Sequence, residues 1–116
     1  MILSNTMLNK VFVMFCAALA LSSFGALAAD NEFALAIQDH KFQPETLIVP
    51  ARTKIKLTIE NRDAAAEEFE SFALGREKVI PAKSSALIYI GPLQPGNYPF
   101  VGEFNEKTAK GVIVAQ

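Results

Sequence analysis

The sequence predicts an all-β protein, a two-sheet Greek-key sandwich of seven or eight short strands. Apolar and polar residues alternate with a period of two, most cleanly where Ile55, Leu57 and Ile59 stand between Lys54, Lys56, Thr58 and Glu60. That pattern gives a strand with one buried and one wet face. Turn residues recur about every 8–12 positions, the spacing of a sandwich. They fall at Asn61-Arg62-Asp63, Gly75, Pro81, Gly91-Pro92 and Pro95-Gly96. Beyond residue 29 no stretch sustains a helical period, so helices are not expected to build the core.

The first 29 residues are of another kind and read as a secretory signal. Lys10 supplies one positive charge, and Val11 to Leu21 form an unbroken apolar run. That run is short of the ~20 residues a membrane-spanning helix needs. Ala26-Leu27-Ala28 is a small-x-small cleavage site followed by Ala29 and Asp30. We expect export across a bacterial-type inner membrane, cleavage after Ala28 or Ala29, and residence in the periplasm. An uncleaved anchor is the competing reading. A lipoprotein is disfavoured because Cys16 follows Val13-Met14-Phe15, which is no lipobox.

The expected single domain covers residues 30–116. Phe33, Leu35 and Ile37 alternate with Ala34, Ala36 and Gln38 in a first strand. Thr46 to Val49 is a short apolar run closed by Pro50, and the Ile55 strand follows it. Ala64 to Glu67 could form one helical turn. Phe69 to Leu74 reads as a strand with Phe69 on one face and Glu68 and Glu70 on the other. Lys78 to Ile80, Ser85 to Ile90, Tyr98 to Phe104 and Gly111 to Ala115 complete the set. The expected core is Ile37, Phe42, Leu47, Val49, Ile55, Leu57, Ile59, Phe69, Leu87, Tyr98, Phe100 and Val112.

Composition narrows the function. The one cysteine, Cys16, and the three methionines, Met1, Met7 and Met14, all fall within the signal segment, and His40 is the only histidine. Disulfides are thus excluded after cleavage, although an exported protein would permit them. Of 11 Lys and Arg residues, loss of Lys10 leaves 10 against 12 Asp and Glu, a net charge of −2. That balance gives no basis for binding nucleic acid or anionic lipid. No Ser-His-Asp set, nucleophile elbow or glycine-rich phosphate loop is present. An enzyme could arise only through a bound metal, with copper-dependent oxidation of Fe²⁺ as the one candidate.

Several segments, in order, carry a family resemblance. They are Asp39-His40-Lys41-Phe42-Gln43-Pro44, Ile48-Val49-Pro50-Ala51-Arg52 with Ile55-Lys56-Leu57, and Thr58-Ile59-Glu60-Asn61-Arg62-Asp63. Leu93-Gln94-Pro95-Gly96-Asn97-Tyr98-Pro99-Phe100 and Lys110-Gly111-Val112-Ile113-Val114 complete them. Together they resemble the small bacterial periplasmic cupredoxins, which implies a cupredoxin-like sandwich. The family's blue-copper ligands are a histidine, then a cysteine, a histidine and usually a methionine. The matching positions are Glu67, Gly102, Asn105 and Thr108 or Ala109, so every ligand is replaced. A blue-copper site requires a thiolate, and residues 30–116 contain no sulfur.

Glu67-Glu68-Phe69-Glu70-Ser71 and Gly102-Glu103-Phe104 resemble a narrower group, the cupredoxin subunits and domains of bacterial iron-uptake permeases. The resemblance implies handling of iron or copper, with an inner-membrane iron permease and a second periplasmic iron-binding protein as partners. It also implies that the two stretches meet at one end of the sandwich. Glu67, Glu103 and Glu106, with Glu68, Glu70 and Asn105 as alternates, would then make a hard-oxygen site for iron, manganese or Cu²⁺. Solvated surface is the alternative for each glutamate taken singly. His40 lies well before these stretches and reads as a surface or hydrogen-bonded group rather than a ligand. Arg52, Lys54 and Lys56 read as a wet strand face that discourages edge pairing, with docking to an acidic partner as the alternative. A metal-free periplasmic adaptor and a copper-dependent ferrous oxidase are the competing functions.

Overall fold

The computed structural model describes residues 31–116. The expected signal segment, its cleavage site and Asp30 lie outside the described residues. Nine strands are present among them: β1 Glu32–Gln38, β2 Lys41–Gln43, β3 Thr46–Val49, β4 Ile55–Asn61, β5 Glu67–Ser71, β6 Arg76–Ile80, β7 Ser85–Ile90, β8 Gly96–Gly102 and β9 Lys110–Ala115. A 3₁₀ turn, Glu103–Asn105, joins β8 to the approach to β9. The strands form a four-stranded sheet in the order β2-β1-β4-β7 and a five-stranded sheet in the order β3-β9-β8-β5-β6. β1 runs parallel to β4, β3 runs parallel to β9, and the remaining pairs are antiparallel.

β4 shows how alternation builds this core. Ile55, Leu57, Ile59 and Asn61 all point inward and are buried, while Lys56 and Glu60 face water. Against them pack Leu35 and Ile37 of β1, Ile88 and Ile90 of β7, and Ile113 of β9. Phe42, Phe69 and Phe100 fill one end. Their ring centroids are 4.8 Å apart for Phe42 and Phe100, 5.1 Å for Phe69 and Phe100, and 6.2 Å for Phe42 and Phe69. Phe42 meets both others edge-on, the arrangement the ring quadrupole favours.

Three expected core positions fall elsewhere. Leu87 is 43% exposed because Ile88 and Ile90 take the inward face of β7. Val112 is half-buried, since Ile113 and Ala115 are the inward residues of β9. Tyr98 is half-buried at the rim, and its hydroxyl donates to the Gln94 carbonyl at 2.8 Å. β2 is a strand the sequence pattern did not mark. Residues 64–66 form no helical turn but an irregular loop.

That loop is held by buried polar groups. Asn61 Nδ2 lies within hydrogen-bonding distance of the carbonyls of Ala65 (2.9 Å), Ile80 (3.0 Å) and Pro81 (3.3 Å). Its Oδ1 accepts from the Asp63 amide at 3.0 Å. Asp63 in turn accepts from the amides of Asp39 at 2.8 Å and His40 at 3.0 Å. Those two residues have φ of +53° and +57°, as a tight hairpin turn between β1 and β2 requires. The His40 amide, joined by the Asp39 amide and the charges of His40 and Lys83, holds the Asp63 carboxyl below its usual value against the opposing effect of burial.

Candidate metal centre

β5 carries the centre because its alternation sends successive glutamates to opposite faces. Phe69 points into the core, and Glu67 shares its face. Glu68 and Glu70 point outward. In the hairpin formed with β6, Glu70 stands directly opposite Glu77. On the other side, Phe69 pairs with Gly102 and Glu70 with Val101 of β8. The chain therefore leaves β8 beside the outer face of β5, and the next residue is Glu103.

Glu67 joins the two stretches from inside. It is 1% exposed, and its carboxylate accepts three hydrogen bonds. Oε1 accepts from the Glu68 amide at 3.0 Å and the Phe104 amide at 2.9 Å, and Oε2 accepts from Asn105 Nδ2 at 2.7 Å. The 3₁₀ turn is thus fastened to the start of β5. Gly102 permits the approach: a Cβ there would lie 2.7 Å from both Glu67 Cδ and Ala109 Cβ. The Gly102 amide donates to the Ala109 carbonyl at 2.9 Å, and the Ala109 amide donates to the Asn105 carbonyl at 2.8 Å.

Four outward carboxylates converge as a result. Glu68, Glu70, Glu77 and Glu103 each offer an oxygen, and these oxygens lie within 4.8 Å of one another. Such crowding resists full ionisation. A hydrogen bond to Glu103 raises the Glu68 carboxyl to about 7, aided by partial desolvation and by the charges of Glu103, Glu77 and Glu70. The Glu70 carboxyl is raised by the same hydrogen-bond partner, by desolvation and by the charges of Glu103, Glu77 and Glu106. Carboxylate oxygens at this separation can close on a hard divalent or trivalent cation, which would relieve the repulsion.

The two glutamate stretches do meet at one end, and the individual residues have different places there. Glu68, Glu70 and Glu103 belong to the converging group. Glu67 lies beneath it with its oxygens committed to backbone and amide donors. Asn105 spends its amide nitrogen on Glu67. Glu106 is exposed one step away and lines a cleft with Glu70. Glu77 is the member the sequence reading missed. Its signal was the hairpin register about Phe72–Gly75, which places residue 77 opposite residue 70. His40 comes to the same end, across a cleft from Glu103 to Thr108, with its Nδ1 3.7 Å from Asp63 Oδ2. The positions matching the blue-copper ligands offer a buried carboxylate, a glycine with no room for a side chain, an amide, and a threonine or alanine. That donor set does not fit type-1 copper, which needs a thiolate and imidazoles.

Comparison with known proteins agrees with this architecture. An uncharacterized protein of Rickettsia prowazekii (strain Madrid E) is 46% identical over 83 residues, which are 72% of this chain and 66% of the relative, just under two thirds of its length. Among solved structures, reduced auracyanin from Roseiflexus castenholzii superposes with a TM-score of 0.63 at 16% identity, over 77% of this chain and 99% of that one. Amicyanin from Paracoccus versutus gives 0.59 at 12% identity, over 78% and 87%. At such identities the likeness concerns the fold alone. The family described as the cupredoxin-like domain matches residues 11–115. With nine strands in two sheets and that match over nearly its whole length, the chain belongs to the cupredoxin-like domain family.

Proposed function

We propose that this chain is a periplasmic metal-binding accessory protein of an iron-uptake system, taking iron or copper as cargo through carboxylates. The observation that carries the reading is the convergence of Glu68, Glu70, Glu77 and Glu103 within 4.8 Å. Three of the four come from the stretches that resemble the iron-uptake cupredoxins. Oxygen-only donors favour Fe³⁺, Fe²⁺ or Mn²⁺, and Cu²⁺ follows from the general affinity order of divalent ions. In this reading the protein works after removal of residues 1–29. It hands its metal to an inner-membrane iron permease, alongside a second periplasmic iron-binding protein. The outward position of the four carboxylates supports transfer, because a cargo site must stay open to a recipient.

Calorimetric titration with Fe³⁺, Fe²⁺ and Cu²⁺ in turn tests the proposal. At least one should bind with a dissociation constant well below ~1 mM, the weak end of specific binding. Replacing Glu77 and Glu103 together by glutamine should remove that binding without unfolding the protein, since both side chains are exposed. No binding by any of the three ions would end the reading.

A further inference from the structure

The five-stranded sheet opens beside the carboxylates, and the cause is local. β5 and β8 pair at only two positions, Phe69 with Gly102 and Glu70 with Val101. Continuing the ladder would bring β5 alongside Pro99, which has no N–H to give. Instead the Ser71 hydroxyl donates to the Pro99 carbonyl at 2.7 Å and accepts from the Leu74 amide at 3.1 Å. The chain then turns away through Phe72–Gly75. Gly75 takes a φ of +63°, and its amide donates to the Phe72 carbonyl at 3.1 Å.

The strands part around a cleft of about 400 Å³, lined by the apolar surfaces of Phe72, Ala73, Pro99, Phe100 and Val101. Glu70 and Glu106 also line it, and no lysine, arginine or histidine is among the described residues that do. Phe72 is 95% exposed, whereas Phe42, Phe69 and Phe100 are all within 1% of complete burial. Phe72 also lines a second cleft, with Glu70, Arg76 and Glu77. Arg76 turns its guanidinium to the carbonyls of Tyr89 and Gly75. An aromatic side chain in water is thus bordered by three carboxylates, those of Glu70, Glu77 and Glu106.

We propose that this cleft is a docking site for a partner protein that presents an apolar side chain flanked by lysine or arginine. The apolar side chain fills the cleft against Phe72, and the cations meet Glu70, Glu106 and Glu77. The acidic border argues against a lipid surface, whose anionic headgroups it would repel. The inference goes beyond metal binding and does not depend on it.

Amide shifts of the ¹⁵N-labelled protein, titrated with a short synthetic peptide of alternating lysine and leucine, test it. Shifts should concentrate at Glu70 to Ala73, Val101 and Glu106 and shrink as salt is added. Phe72→Ala should weaken binding on the order of 30-fold, as loss of a central aromatic anchor does. That variant should fold normally, because Phe72 packs almost entirely against solvent. A lysine–serine peptide binding equally well would reduce the site to charge and overturn the proposal. A glutamate–leucine peptide binding equally well would reduce it to grease and do the same. Concentration-dependent shifts of these amides without peptide would assign the cleft to a second copy, and would also overturn it. Glu68→Gln with Glu103→Gln, which removes two of the four converging carboxylates but no residue lining the cleft, should leave the Phe72-dependent binding in place within a few fold, which separates this test from that of the metal reading.

Discussion

Both carboxylate oxygens of Glu67 are engaged inside the protein, so its contribution is to hold residues together. Glu67→Ala leaves the amides of Glu68 and Phe104 and the Asn105 side chain without their acceptor. Unsatisfied donors of this kind cost about 1–3 kcal/mol each when buried, and partial access of water will lessen the sum. We expect a loss on the order of 3 kcal/mol in urea unfolding. Glu67→Gln should cost only about 1 kcal/mol, because the Asn105 amide can turn over and present its oxygen to the new nitrogen. A loss in the glutamine variant equal to that in the alanine variant would show that the hydrogen bonds matter less than the charge. Part of this role was legible in the sequence. Alternation about Phe69 already assigns Glu67 to the inner face and Glu68 and Glu70 to the outer one. The donors from Phe104 and Asn105 were not legible, because they arrive from a turn 37 and 38 residues away and depend on how β8 ends.

At the scale of the strand, glycine marks the places where side chains of neighbouring elements need the room. Gly111 of β9 pairs with Phe100 of β8, and a Cβ there would overlap the Phe100 ring and come within 2.7 Å of the Glu45 carbonyl. The Phe100 ring is part of the aromatic trio, so it has no free space to retreat into. Gly111→Ala should therefore destabilise by about 1–3 kcal/mol through overpacking, read as a lower urea midpoint with an unchanged slope. A neutral result would mean that the ring has an alternative rotamer. The strands themselves were largely readable from period-2 alternation, as at β4. β2 was not, since three residues carry too little pattern. The outer-face member Glu77 was hidden because a single strand shows its faces but not its partner's register. Leu87 and Val112 were misplaced for a related reason: both lie in runs of consecutive apolar residues, where alternation does not identify the inward set.

For the whole molecule, the pH dependence of stability follows carboxyl shifts in opposite directions, upward at Glu68 and Glu70 and downward at Asp63. Glu68 has a carboxyl raised from 4.5 to about 7, so between those values the folded protein holds a proton that the unfolded chain releases. Its contribution is fully present below pH 4.5 and is lost as pH rises through about 7. Asp63 is shifted the other way, and its contribution is present above the ordinary value of 3.8 and is lost as pH falls through its lowered one. Stability should therefore peak in mildly acidic solution, and Glu68→Gln should flatten the decline toward neutrality in urea midpoints measured across pH. An unchanged slope in that variant would mean that the crowding is relieved by side-chain motion. The order of the strands has a consequence in time. β9 is the last strand of the chain, yet it lies between β3 and β8 in the interior of its sheet. Until residues 110–115 arrive, β3 has no neighbour in that sheet and β8 lacks one of its two, so the five-stranded sheet stays incomplete while the four-stranded one has all its strands. Closing that sheet joins positions far apart along the polymer, Thr46 to Val112 and Val49 to Ala115, so the last seam of the sandwich waits on a long loop closure.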